Sequence, residues 1–267
     1  MMNSFLFIIP VTPRALTNDI RKNLQEISVK NLLNQTYKNW KVLWISNESP
    51  NFNDSRFIHV KFEGLKEEKL QIASRFIIQN NLKPDYIIRL DDDDIFNPHL
   101  LDSIKDVSFD ILVDKHQVFW YYNSSYYSSR VWYWFPNTCI HKREHALQKF
   151  GKLASPRIKK LNEQIRLIEN DHSKIHNYYK NKEVKFSSRK NPIYIRSISS
   201  TSITYLNKIE VKNYLLKFGS WRKEKYSGFY NLTGKTELPL SISLKQRANN
   251  IINDLIALKN YKNIVLN

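Results

Sequence analysis

Cysteine occurs once in 267 residues, at Cys139, so no intramolecular disulfide can form and a reducing compartment is expected. A single thiol of this kind reads as a buried small hydrophobe rather than a nucleophile. Glycine is scarce as well: five residues leave room for few phosphate-cradling loops, and no GxxxxGK occurs. No apolar run is long. The segment near the start, "FLFIIPV", is too short to span a bilayer and lacks the basic flank and cleavage site of a signal peptide. Low-complexity tracts, internal repeats and zinc, helix-turn-helix or RNP signatures are also missing. These absences predict a soluble or peripheral protein, cytoplasmic or at the inner face of a membrane.

Positive charge is abundant. Lys and Arg number 42 against 25 Asp and Glu, a net +17. Residues 1–140 hold 16 of each sign, so the whole excess, 26 basic against 9 acidic, lies in residues 141–267. That half suits an anionic partner such as an acidic lipid surface, a polyanionic polymer or nucleic acid, unless the lysines only raise solubility.

Apolar periodicity supplies the fold class. "FLFIIP" reads as a buried strand, and "RKNLQEISVKNLLNQ" sets Leu24, Ile27, Leu32 and Leu33 at near-helical spacing. The segments "WKVLWIS", "RFIHVKF" and "DYIIRL" are further strands. "EKLQIASRFIIQNN" is a helix with Leu70, Ala73, Phe76 and Ile77 on one face. Near-continuous apolar strands alternating with helices predict a mostly parallel sheet covered on both faces, with ligands at the carboxyl ends of its strands. Residues 110–140 turn aromatic and β-rich, a pattern that predicts two antiparallel strands. Residues 157–180 read as helical and "NPIYIRSISSTSITY" as extended. Near the end, Leu244, Ala248, Ile251, Leu255 and Leu258 form a helical apolar stripe. It is expected to pack on its own domain, with interfacial membrane binding as the alternative.

The chemistry concentrates in "RLDDDDIF". Carboxylates about 6 Å apart repel by roughly 2–3 kcal/mol at an effective dielectric near 20. Four in a row therefore require protonation, water or a cation. In an extended chain Asp91 and Asp93 share one face and Asp92 and Asp94 the other, a donor set that suits Mg2+ or Mn2+. A plainer role also exists: Asn97 and Pro98 can open a helix whose dipole the acids complement. An EF-hand loop does not fit, because its required glycine position is Phe96.

Four stretches in order carry a resemblance. "FIIPVTPRA" resembles the first strand and turn of the GT-A glycosyltransferases, often "IIPTYNRA" in family 2. "LLNQTYKNWKVLWIS" is similar to their "LLNQTY.NWE" segment. "ASRFIIQNN" resembles their "ARN" helix and "IIRLDDDDIF" their "LDADD" strand end, with Arg75 standing 16 residues before Asp91. The likeness covers residues 5–103. Farther on, "IENDHSKI" resembles the acidic segment carrying the catalytic base, and "NPIYIRSISSTSIT" looks like the rhamnosyltransferase branch. The resemblance implies a GT-A fold over residues 1–205, with a nucleotide-binding half at 1–103 and an acceptor half at 104–205. Residues 206–267 would be a basic helical extension packed on it.

It further implies a metal-dependent, inverting glycosyltransferase (hexosyltransferase-type) that uses a nucleotide-diphosphate sugar and a glycan or lipid-linked acceptor. Asp93 would be the principal ligand of Mn2+ or Mg2+. Asp91 would bind metal or ribose, Asp92 would face the nucleotide, and Asp94 would face the acceptor with Trp132 and Trp134. Pro10, Thr12, Arg14, Ser46, Asn47 and Arg75 would line the nucleotide site, the arginines because guanidinium forks fit oxyanions. After the second strand the family usually has an Asp pair followed by Gly-Ser. Here Ser46, Asn47, Glu48 and Ser49 stand, and an amide and a hydroxyl can still bond a pyrimidine edge. Asp171 would be the base, with Glu169 and His172 as substitutes. His172 and His176, one turn apart, form a conceivable metal pair without an evident third ligand. The competing readings are a metal-dependent phosphotransferase or nucleotidyltransferase and a basic nucleic-acid-binding protein, although an acidic cleft would repel phosphate without metal.

Overall fold

The computed structural model describes residues 2–13, 17–131, 135–152, 164–170, 172–199, 251–259 and parts of 215–236. In chain order the elements begin β1 (Phe5–Pro10), α1 (Asp19–Leu33), β2 (Trp40–Ser46), β3 (Phe57–Lys61), α2 (Lys66–Gln79), β4 (Tyr86–Arg89) and β5 (Ile95–Phe96). Next come α3 (Leu100–Ile104), β6 (Ile111–Asp114), β7 (Gln117–Tyr121), β8 (Tyr126–Arg130), β9 (Ile140–Lys142), α4 (Arg143–Ala146), β10 (Lys149–Lys152) and β11 (Gln164–Arg166). A 3-10 turn (Leu167–Glu169), α5 (His172–Ile175), β12 (Val184–Ser187), β13 (Tyr194–Ile198) and β14 (Arg222–Lys223) follow.

The chain is a mixed α/β protein with a largely parallel central sheet. Seven strands run in the order β12-β6-β9-β4-β1-β2-β3, and only β9 is antiparallel to its neighbours. A second sheet, β14-β8-β7-β13-β5, is mostly antiparallel, and β10 pairs with β11.

The unbroken apolar run of β1 follows from burial on both faces. Phe5, Phe7 and Ile9 join Val29 and Leu32 of α1 in one core, while Leu6 and Ile8 join Leu70, Ala73 and Ile77 of α2 in the other. Helix α1 starts at an N-cap, Asn18, whose side chain accepts from the Arg21 N–H at 3.0 Å. The register carries β4, β1, β2 and β3 to one edge together, with Ile8 opposite Arg89, Pro10 opposite Ile45 and Ser46 opposite Lys61.

Several expectations are corrected here. Of the expected helix over 157–180, residues 157–163 and 171 lie outside the described residues, and over the rest β11, the 3-10 turn and the short α5 stand in place of one helix, with Ile165, Leu167 and Ile168 buried. The aspartate run is not extended either. Strand β4 ends at Arg89, and the Asp94 N–H donates to the Asp91 carbonyl at 3.1 Å, closing a turn. Leu244 and Ala248 of the C-terminal stripe lie outside the described residues. Residues 251–259 are helical, with Ala257 and Leu258 packed on a core that contains Val131 and Phe135, whereas Ile251 and Leu255 are exposed. No helix among the described residues is long and apolar enough to cross a membrane.

Phe7 is fully buried at the centre of this sheet, with edge contacts to Trp40 at 6.1 Å and to Phe96 at 4.8 Å, just past the aspartate turn. Phe7→Ala is expected to cost about 3–5 kcal/mol, read as a lower urea midpoint at unchanged m-value.

Candidate active site

The parallel strand ends deliver the site. Thr12 follows β1, Ser46 closes β2, Lys66 opens α2 after β3, and Asp91–Asp94 follow β4. Above them α1 presents Arg21, Gln25 and Ser28, spaced four and three residues apart and therefore on one helical face. Each reaches the aspartate turn. Arg21 Nη1 lies 2.5 Å from Asp93 Oδ2, its Nη2 bonds Asp92 Oδ1, and the same Nη2 donates to Thr12 Oγ1 at 2.7 Å. Gln25 Nε2 donates to Asp92 Oδ2 at 3.1 Å, and Ser28 Oγ donates to the Asp94 carbonyl at 2.7 Å.

The four carboxylates divide into two kinds. Asp92 is buried, and besides Arg21 and Gln25 it accepts from the Thr12 backbone N–H at 2.8 Å, which ties the end of β1 to the turn after β4. Asp94 is also buried and accepts from the Ser197 N–H of β13 at 3.3 Å. Asp91 and Asp93 keep an open side, their side chains 23% and 15% exposed against 1% for Asp92. Lys66 Nζ stands 2.6 Å from Asp91.

Arg21 and Lys66 pair with the cluster, and its carboxyls respond unequally to burial and to those cations. Burial pushes the Asp93 carboxyl up to about 6, with Asp92 and Asp91 adding to the rise and Arg21 opposing it. Burial likewise raises Asp94 well above the carboxylate range, with Asp93 and Asp91 contributing. Burial acts on Asp91 in the same direction, but Lys66 and Arg89 outweigh it and hold that carboxyl below its ordinary value. Asp91 and Asp93 are thus the two carboxylates that keep a partly open side, and hard oxygen donors of this kind are what Mn2+ or Mg2+ takes. The donor set fits such an ion.

Other expected site residues are placed as follows. Pro10 ends β1. Ser46 is buried, its hydroxyl bonded to the Glu48 carbonyl, with Asn47 half-buried beside it. Arg14, Trp132, Trp134 and Asp171 lie outside the described residues. Arg75 corrects an expectation: it is on the exposed face of α2, and Arg21 takes the aspartate contacts instead. Asp94 faces inward to β13 rather than outward to an acceptor. The alternation of faces along the tetrad is lost because the turn sets Asp92 and Asp93 on one guanidinium. Glu169 is buried, with Ser74 Oγ on one oxygen and Arg166 around both, so its carboxylate fastens the 3-10 turn to α2. His172 is half-buried and shares a small cleft with Arg89, Asn137, His141 and Asn170; Arg89 Nη1 donates to the Asn170 carbonyl at 3.0 Å. The cleft joins this segment to the strand that carries the aspartates.

Arg21, Gln25 and Lys66 escaped the motif reading. The signal for the first two was present: polar residues at 21, 25, 28 and 31 run as a stripe along α1 and continue to Gln35 just past its end, and Asn31 and Gln35 are completely buried.

No family model matches the chain, and no curated protein matches it. Among solved structures, S. aureus TarS 1–349 is similar with 15% identity and a TM-score of 0.47, over 73% of this chain and 60% of that one. S. aureus TarS itself is similar with 14% identity and a TM-score of 0.46, over 98% of this chain and 50% of that one. The glycosyltransferase GlyE in Streptococcus pneumoniae TIGR4 has 11% identity and a TM-score of 0.40, over 79% and 57%. The chain therefore spans only about half to three-fifths of the length of these structures.

A carboxyl raised in the folded state removes stability as pH climbs from its unfolded value near 3.9, and the loss is complete above its folded value of about 6. Asp93→Asn is therefore expected to raise Tm at pH 7.5, by about 2–4 °C for each kcal/mol of relieved repulsion, with the gain shrinking as pH falls from 6 towards 4. Scanning calorimetry across that range checks the sign.

Proposed function

We propose that this protein is a GT-A-type, metal-dependent glycosyltransferase that moves a sugar from a nucleotide-diphosphate donor to a glycan or lipid-linked acceptor. The observation that carries the reading is the cluster of four aspartates, two of them partly open, at the carboxyl edge of the parallel sheet, where open α/β sheets bind ligands.

Mn2+ or Mg2+ would be held by Asp93 and Asp91, and when bound it supplies Lewis-acid neutralisation of the departing diphosphate. Asp92 holds the Thr12 backbone beside the aspartate turn. Arg21 and Lys66 lie within reach of the same carboxylates, and both can turn to diphosphate oxygens as those enter. Ser46 and Asn47 border the place of the nucleobase. The acceptor oxygen forms its bond to the anomeric carbon as the bond from that carbon to the diphosphate oxygen breaks, which inverts the centre. The hydroxyl proton passes to Asp171 or to His172, acting as general base. Glu169, held by Ser74 and Arg166, is not used.

The basic half supplies a place of action. Ile251, Ile252, Leu255 and Ile256 make an exposed apolar face on residues 251–259, in the half of the chain that carries the 26-to-9 basic excess. Such a combination binds anionic membrane surfaces, where lipid-linked acceptors are found.

Two measurements test these proposals. Thermal shift against nucleoside diphosphates, with and without Mn2+, should give stabilisation by one nucleotide that depends on metal and disappears in Asp93→Ala. A panel with no stabilising diphosphate would overturn the assignment, and a response to triphosphates alone would point to nucleotidyl transfer. Co-sedimentation with vesicles containing anionic lipid should retain the protein at low salt, and Ile252→Glu/Ile256→Glu should release it. Equal retention by neutral vesicles would contradict the electrostatic part.

A further inference from the structure

A second cluster of metal-ligating side chains lies at the opposite edge of the central sheet. Strand β6 runs parallel to β4, since both are antiparallel to β9. Asp110, just before β6, therefore stands at the amino edge, whereas Asp91–Asp94 follow the carboxyl end of β4. Strand β9 returns to the amino edge and delivers α4, with Glu144 and His145, beside Asp110.

His145 Nε2 is 3.0 Å from Asp110 Oδ1 and 3.8 Å from Glu144 Oε1, and the three ligand atoms all lie within 4.8 Å of one another. A tetrahedral ion with bonds near 2.1 Å spaces its ligands by roughly 3.4 Å, so the group needs little adjustment to enclose one. Two of the three are already oriented from outside the cluster. Tyr178 OH is 3.0 Å from His145 Nδ1, the outer hydrogen bond that fixes a metal-bound imidazole and leaves Nε2 to the ion. The Glu183 N–H donates to Asp110 Oδ2 at 2.9 Å and leaves Oδ1 facing inward. Glu144 is the exposed, movable ligand, and Lys142 at 2.9 Å holds it in the ion's place.

We infer that Asp110, Glu144 and His145 form a binding site for a first-row divalent cation, Zn2+ in preference to Mg2+, separate from the aspartate cluster. Imidazole favours Zn2+, whereas Mg2+ takes oxygen ligands and keeps its water. The ion would join three segments far apart in sequence: the start of β6, the end of β9 with α4, and, through Tyr178 and Glu183, the turn before β12. Its role is to fasten the sheet edge away from the reaction.

The test uses the full chain with Asp91→Asn/Asp93→Asn, so that the aspartate cluster does not contribute, titrated with ZnCl2 by calorimetry and with CoCl2 by visible absorption. One equivalent of Zn2+ is expected, with no response to MgCl2. Adding His145→Ala should abolish binding, and Tyr178→Phe should weaken it by roughly tenfold or more. Glu144→Gln, on an exposed side chain, should weaken Zn2+ at least tenfold while leaving the Tm of metal-free protein unchanged; it decides the matter if His145→Ala does not fold. Absence of Zn2+ binding in the Asp91/Asp93 variant, or unchanged affinity in Glu144→Gln, overturns the inference.

Discussion

Four carboxylates on four consecutive residues, most of them shielded from water, are the constraint around which the rest of this molecule is arranged. Ionised together without partners they would be unstable by several kcal/mol. The fold answers with α1, whose polar stripe lies over the turn, and with the Arg21 fork that joins Asp92, Asp93 and Thr12 in one network. Burial, and to a smaller extent the neighbouring carboxylates, still displaces Asp93 and Asp94 upward. Buried carboxyls displaced in this way are characteristic of binding sites, where an incoming cation favours their charged form.

The same turn stitches the two sheets together. Asp94 accepts from β13, Ser28 fixes its carbonyl, and Asn97 donates to the Pro192 carbonyl at 2.8 Å. Asp114, at the end of β6, repeats the device: it accepts from the Ile193 N–H at 2.8 Å, and burial pushes its carboxyl up to about 7. These buried polar seams at strand ends add to a shared hydrophobic core, in which Phe7, Ile9 and Ile88 of the parallel sheet meet Phe96 and Tyr194 of the antiparallel one. The position of the site is therefore coupled to the packing of both sheets.

Much of the architecture was legible because burial on both faces writes itself as unbroken apolar strands, and helices as a 3.6-residue period. β1, α1, β2, β3, α2 and β4 fall where that pattern sets them. The failures share one cause. Residues 164–180 read as helical, but their apolar side chains serve a strand pair and a 3-10 turn that cover α2 and the core, a demand set by distant segments. Arg75 has the spacing of a site residue, yet the helical phase of α2 turns it to solvent. Arg21 has no motif around it, and only the crossing of α1 over the strand ends brings it to the carboxylates.

From its own order of residues the chain determines the alternation of strand and helix, the parallel sheet, and the concentration of acid after β4, because period and local charge are properties of neighbours in sequence. Tertiary structure alone decided which aspartates stay open, which cations oppose them, and that Asp110 and His145 meet at the far edge. Those are distances between residues tens of positions apart, fixed by how helices cross strands and in which direction β9 runs, and no local pattern encodes them.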